Sequence, residues 1–162
     1  MKPMEFREIK RVKQALSKEA CIEILKNEKR GVLAVTGDGG YPYPVPLNHY
    51  YCEEDGRLYF HSGKTGHKID ALKADSKAAF CVTDGGEQTP GEWSLYFNSV
   101  IVFGRVEFVT DYGEICRISR LLSLKFTDDE AYIAREIEKY GKNTALFALI
   151  PEHITGKRVH EE

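Results

Sequence analysis

The chain has 162 residues, 42% of them hydrophobic, with 23 Lys and Arg against 25 Asp and Glu for a net charge of −2. That length fits one domain, residues 1–162, whose core stands without disulfides or metals. The charge balance excludes a bulk attraction to nucleic acid or to an anionic membrane, so any positive site is local.

Residues 1–16 are charged and are expected to form an N-terminal arm; Met1–Arg11 lacks the apolar stretch of a signal peptide. Ser17 is placed to cap a helix over about 18–30, with Cys21, Ile24, Leu25 and Glu28 at helical spacing and Gly31 as its stop. Val32–Thr36 reads as a strand and Gly37-Asp38-Gly39-Gly40 as a hairpin turn, because no helix follows as a dinucleotide loop requires. Tyr41–Cys52 is expected as one longer strand, turned by Glu53–Gly56 into a strand over Arg57–Ser62. A short helix over about 66–74 leads to a strand over Lys77–Asp84 and a polar loop from Gly85 to Gly91. Trp93–Val109 carries enough β-branched and aromatic residues for one long strand or two, with a bend at Asn98-Ser99 or Gly104.

Two helices follow. The first, about 112–126, sets Ile115, Ile118, Leu121 and Leu122 on one face. The second opens with Thr127-Asp128-Asp129-Glu130, which reads as a capping box, carries Ile133, Ile137 and Tyr140, and stops at Gly141. Thr144–Ile150 is the last predicted strand, followed by Pro151 and a polar tail. Six or seven strands joined mainly by tight turns indicate an α+β protein whose antiparallel sheet curls into a barrel. No run approaches 18 apolar residues, so no membrane-spanning segment is expected. Cys21, Cys52, Cys81 and Cys116 are far apart, with no CxxC pair, and are expected as reduced, mostly buried thiols of a cytoplasmic protein.

Prolines at 42, 44 and 46 remove three successive N–H donors from one edge of their strand. This describes an edge strand protected from aggregation, or a strand beside which a flat ligand or a second subunit lies. In the second case Asn48 and the backbone at Pro46-Leu47 give directional hydrogen bonds. The other informative stretch is Leu58–Lys68, an alternating strand that ends in His61-Ser62-Gly63-Lys64-Thr65-Gly66-His67-Lys68 and passes at once into a helix. Free N–H groups and the helix dipole at such a start favour an anion, with Lys64, His67 and Lys68 as further donors. A solvated basic turn is the simpler reading; a Walker A loop is absent. The histidines His49, His61, His67, His153 and His160 form no HExxH and no ligand-spaced pair with cysteine, so no metal site is expected. Trp93, Tyr96 and Phe97 have no accompanying basic stripe and fit a core or subunit contact better than a nucleic-acid platform.

Four stretches in order, Val45–Asn48, Leu58–Lys68, Tyr96–Val106 and Ile154–Lys157, resemble the nitroimidazole-resistance branch of the pyridoxamine 5′-phosphate oxidase-like proteins. The resemblance extends from about residue 5 to the end. It implies a six- to seven-stranded antiparallel split β-barrel with flanking helices, which binds FMN as a homodimer with two sites at the interface. Val45, Pro46, Leu47 and Asn48 then lie along the isoalloxazine, and His61 and Ser62 sit near the ring and ribityl chain. Gly63 belongs to the same motif. Lys64 and Lys68 bind the phosphate with His67 nearby, and Asn98 and Ser99 approach from the partner subunit or the far side of the groove. The arginine-rich phosphate site of the oxidases proper is missing, so pyridoxamine-phosphate oxidation is not implied. The reaction implied is reduction of a nitroaromatic such as a 5-nitroimidazole by reduced flavin, with His61 as proton donor. Two other classes fit the same barrel: a flavin-binding redox sensor or store without turnover, and a haem-binding protein.

Overall fold

The structure, a computed structural model, describes residues 4–160; residues 1–3 of the expected arm and 161–162 of the expected tail lie outside it. Eight strands, β1 (Arg30–Thr36), β2 (Pro42–Asn48), β3 (Tyr50–Cys52), β4 (Arg57–Gly63), β5 (Lys77–Thr83), β6 (Glu87–Gln88), β7 (Leu95–Val109) and β8 (Thr144–His160), form one antiparallel sheet. Four helices accompany it: α1 (Lys18–Asn27), α2 (His67–Ala74), α3 (Tyr112–Ser123) and α4 (Glu130–Tyr140). The strand order is β2-β1-β5-β7-β8-β4-β3, with β6 paired to β7. The sheet curls so that β2 approaches β4 without pairing with it. This is an α+β split barrel, open between those two strands.

The curl depends on β7 and β8. β7 pairs with β5 along Ser99–Arg105, whereas β8 pairs with β4 along Thr144–Leu149. Their mutual register shifts between Phe103 and Gly104, which lie opposite His153 and Pro151, leaving Glu152 as the extra residue of a bulge. The expected end of the last strand at Ile150 is therefore corrected: β8 runs to His160, because the bulge accommodates the proline. Of the alternatives for the bend, Gly104 is the residue at the irregularity. A Cβ there would stand 2.1 Å from the Ile150 oxygen.

Four boundaries also differ from expectation. α1 ends at Asn27, where Glu28 turns extended, so Arg30 opens β1 instead of closing a helix. Tyr41–Cys52 divides into β2 and β3, because His49 turns into the interior between them. α3 stops at Ser123, and Asp129, not Thr127, caps α4 by accepting from Tyr132 N–H.

Alternate residues of the strands fill the barrel. Leu33, Val35, Phe80, Val82, Val100, Val102, Leu58, Phe60, Phe147 and Leu149 pack with Cys21 and Leu25 of α1 and Ile69 and Leu72 of α2. Phe60 stands edge-on to Phe80 at 4.9 Å and stacks on Phe147 at 5.4 Å. A smaller cluster, Cys52, Tyr59, Leu146 and Ala148, is covered from outside by Ile118 of α3. Cys21 and Cys52 are buried as expected, whereas Cys81 is exposed. Trp93, 73% exposed, is not a core residue.

Candidate functional site

β2 occupies one end of the strand path, as its prolines require. Pro42, Pro44 and Pro46 lie opposite Thr36, Ala34 and Val32 of β1. Residues without N–H groups take the rungs that do not bond to β1, and the residues between them carry the ladder. The missing donors therefore fall on the open edge. Asn48 has the same parity, and it is the first residue beyond the prolines that directs an N–H toward that edge.

Facing this edge is β4. Arg30, Pro46, Leu47, Asn48 and His61 line a cleft of about 260 Å³ between the two strands. Arg30 and Asn48 form the first rung of the β1–β2 ladder, and Arg30 Nε donates to Asn48 Oδ1 at 2.9 Å. Arg30 was not among the residues expected here. Its signal was weak: it follows Lys29 at what reads as a helix end, and only the pairing with Asn48 brings it to the cleft. Val45 lies on the same strand but packs against the barrel interior. His61 is exposed at the mouth of a concave site, yet surrounding protein still pushes its pKa below 6.5 by desolvation. At pH 7 it is therefore a neutral hydrogen-bonding group rather than a stored proton.

Beyond His61, β4 leads through Ser62 and Gly63 into the turn Lys64-Thr65-Gly66 and then α2. Ser62 Oγ donates to the Gly63 oxygen at 2.8 Å. Gly66 takes φ 127°, a left-handed conformation that glycine tolerates, so the chain can enter α2 directly. The starts of α1, α3 and α4 are each capped by a side chain, Ser17, Asp111 and Asp129. α2 has no side-chain cap. Its first N–H groups remain available beside exposed Lys64 and half-buried Lys68.

His67 is engaged differently. It stacks on Tyr43 at 4.0 Å, and its Nε2 accepts from Asp38 N–H at 3.2 Å. It thus ties the start of α2 to the β1–β2 hairpin. Asn98 and Ser99 lie at the other end of β7 from its contacts with the β4-bearing half of β8. Asn98 Nδ2 and N–H both donate to Asp84, at 2.7 and 2.9 Å, while its buried Oδ1 has no hydrogen-bond partner among the described residues. Ser99 borders a separate hollow with Lys10, Ile101 and Lys157. Within one chain neither reaches the His61 cleft.

His49 does not meet His61. It is fully buried, its Nε2 lies 2.7 Å from the Leu25 oxygen, and its ring stands edge-on to Phe80 at 5.0 Å. Burial, assisted by the Lys125 charge, lowers its pKa from 6.5 to about 4. A folded-state pKa below the unfolded value means that the neutral ring stabilises fully above pH 6.5. That stability is lost as pH falls through the folded pKa near 4. The loss should reach about 3 kcal/mol. Urea unfolding between pH 7 and pH 4 should show it, and His49→Phe should flatten that slope; equal slopes would assign the acid sensitivity elsewhere.

Residues 17–158 match the family model described as pyridoxamine 5′-phosphate oxidase. No curated protein matches the chain. Among solved structures, a candidate 5-nitroimidazole antibiotic resistance protein from Bacteroides thetaiotaomicron is similar at 23% identity and TM-score 0.74, covering 90% of this chain and 87% of that one. An FAD-binding protein from Mesorhizobium loti is similar at 25% identity and TM-score 0.64, covering 92% and 97%. A flavocytochrome from Azotobacter vinelandii is similar at 20% identity and TM-score 0.75, covering 95% and 76%.

Proposed function

The chain belongs to the pyridoxamine 5′-phosphate oxidase family, and on that basis we propose that it is an FMN-dependent flavoprotein that reduces small nitroaromatic acceptors of the 5-nitroimidazole class. The observation that carries this reading is the continuity of two features along β4. A donor-poor, flat strand edge borders the cleft at His61, and an uncapped helix start with Lys64 and Lys68 follows within a few residues. At about 3.3 Å per residue, the span from His61 to Lys64 is about 10 Å, which suits a ring at one end and a phosphate at the other.

In this reading Pro46, Leu47 and Asn48 hold the ring edge, with Val45 shaping the strand behind them. Arg30 fixes the Asn48 amide, and Ser62 and Gly63 line the path of the ribityl chain. Lys64, Lys68 and the first N–H groups of α2 bind the phosphate, and His67 steadies that helix start. FMN bound here supplies hydride or single-electron transfer to an acceptor on its open face. His61 hydrogen-bonds at the mouth and passes a proton to the reduced acceptor when it is itself charged.

The protein is further proposed to act as a cytoplasmic homodimer. Val32, Cys81, Ile101 and Thr155 form one row across the outer face of the sheet, and Ala34, Ala79, Phe103 and His153 form the next. Val32, Ile101 and Phe103 remain exposed there, an apolar face suited to a second copy. Asn98 and Ser99, remote from their own cleft, would serve the partner's.

The protein should purify yellow, sediment at twice the chain mass and release FMN on denaturation. Anaerobically reduced protein should then turn over a 5-nitroimidazole. Because the His61 pKa is lowered, its contribution should decline as pH rises through a midpoint below 6.5. His61→Ala should remove that limb while retaining flavin. A Soret band in place of flavin absorbance would reject the reading, and flavin without turnover would leave a binding protein.

A further inference from the structure

Behind the cleft lies a cation that neither the ring nor the phosphate contacts use. Lys125 follows α3, and its Nζ donates to the backbone oxygens of Glu28 at 2.6 Å and His49 at 2.7 Å. Glu28 caps the end of α1 two residues before Arg30, and His49 is the residue after Asn48. The two segments already touch, since His49 N–H donates to the Lys29 oxygen at 3.3 Å. The next rung is Arg30 with Asn48. One ammonium therefore joins both segments at the root of the ladder that forms a cleft wall. The buried His49 ring holds the same root to Leu25 from below.

We propose that Lys125 is a positioning residue of the flavin cleft: by holding the Glu28 and His49 carbonyls together, it fixes the Arg30–Asn48 rung against which the ring lies. The role rests on the cleft being the flavin site, whereas the clamp itself needs no ligand. Charge-assisted bonds to carbonyls are the strong kind. Burial lowers the Lys125 pKa to about 8, with Glu28 opposing and Lys29 adding to the shift. The charged and titratable groups around it are thus Glu28 and Lys29 at the end of α1 and His49 between β2 and β3. His49 stays neutral above pH 6.5. A deprotonated Lys125 keeps N–H donors but loses the charge that strengthens both bonds.

The test combines backbone hydrogen exchange of residues 28–32 and 46–52 with FMN titration. Wild type is compared at pH 7 and pH 9.5, after correction for intrinsic exchange, with K125M and K125R at pH 7. K125M should lose about tenfold protection in both segments and bind FMN about tenfold more weakly. K125R, which keeps the charge, should stay near wild type. Wild-type FMN affinity should fall through pH 8, and the K125M profile should be flat there. Wild-type protection in K125M overturns the clamp. Lost protection with unchanged FMN affinity leaves a purely structural tether and overturns the positioning role. A wild-type protein that binds no FMN at pH 7 rejects the flavin reading and this role with it, while the exchange result still decides the clamp. The wild-type pH series needs no substitution, so it carries the test where K125M is too unstable to purify.

Discussion

Changing Lys64 and Lys68 together to Ala should weaken FMN by about a hundredfold while leaving riboflavin within a few-fold of wild type. Two charge-assisted contacts of about 1.5 kcal/mol each account for that ratio. Lys64 is exposed, so its share should shrink as salt rises, whereas half-buried Lys68 is less screened. The free N–H groups at the start of α2 are untouched by the double change and should preserve some preference for the phosphate. Titration of both ligands into apo-protein at low and high salt gives the answer. Equal weakening of FMN and riboflavin would move the phosphate away from this turn, and with it the continuity along β4 on which the proposed function depends.

Gly104→Ala should be the most damaging single substitution at the β7–β8 bulge, costing about 4 kcal/mol or preventing folding. The added Cβ would stand 2.1 Å from the Ile150 oxygen and 2.9 Å from its carbonyl carbon, and backbone cannot step aside as a side-chain tip can. Exposed Gly63, with nothing near its Cβ, is the control: Ala there should change stability by less than about 0.5 kcal/mol. Urea midpoints of the two variants decide the matter, and a Gly104→Ala protein as stable as Gly63→Ala would show that the strands can part there. Because the same bulge bends the long strand pair, a folded but loosened variant should also bind flavin poorly.

The barrel was readable from apolar runs such as Val32–Val35 and Ala78–Val82 divided by tight turns. Which face of each run is buried, that of Gly31, Leu33 and Val35 or of Ala78, Phe80 and Val82, was not, because the residues between them are largely apolar as well. Helix α2 was readable from the glycine and basic turn before it. The last strand was readable only as far as Ile150, since Pro151 ordinarily ends one. Only the register with β7 reveals a bulge that admits the proline and carries pairing on to His160. Thr127 satisfied the local pattern for a cap, but Asp129 lies next to the helix the packing selected and took the role.

The sequence by itself determined that one edge of β2 lacks its donors at Pro42, Pro44 and Pro46 and that a basic, glycine-bearing turn leads from β4 into a helix. Both follow from local chemistry: proline lacks an N–H wherever it is placed, and a helix start has free N–H groups in any fold. Tertiary structure decided which residues share the cleft. It brought Arg30 from β1 to Asn48, turned His49 inward away from His61, committed His67 to Tyr43 and Asp38, and set Lys125 behind the wall. Those outcomes depend on strand register and on a turn 76 residues from His49. Long-range pairings of this kind are fixed by burial of the whole sheet, and no local spacing encodes them.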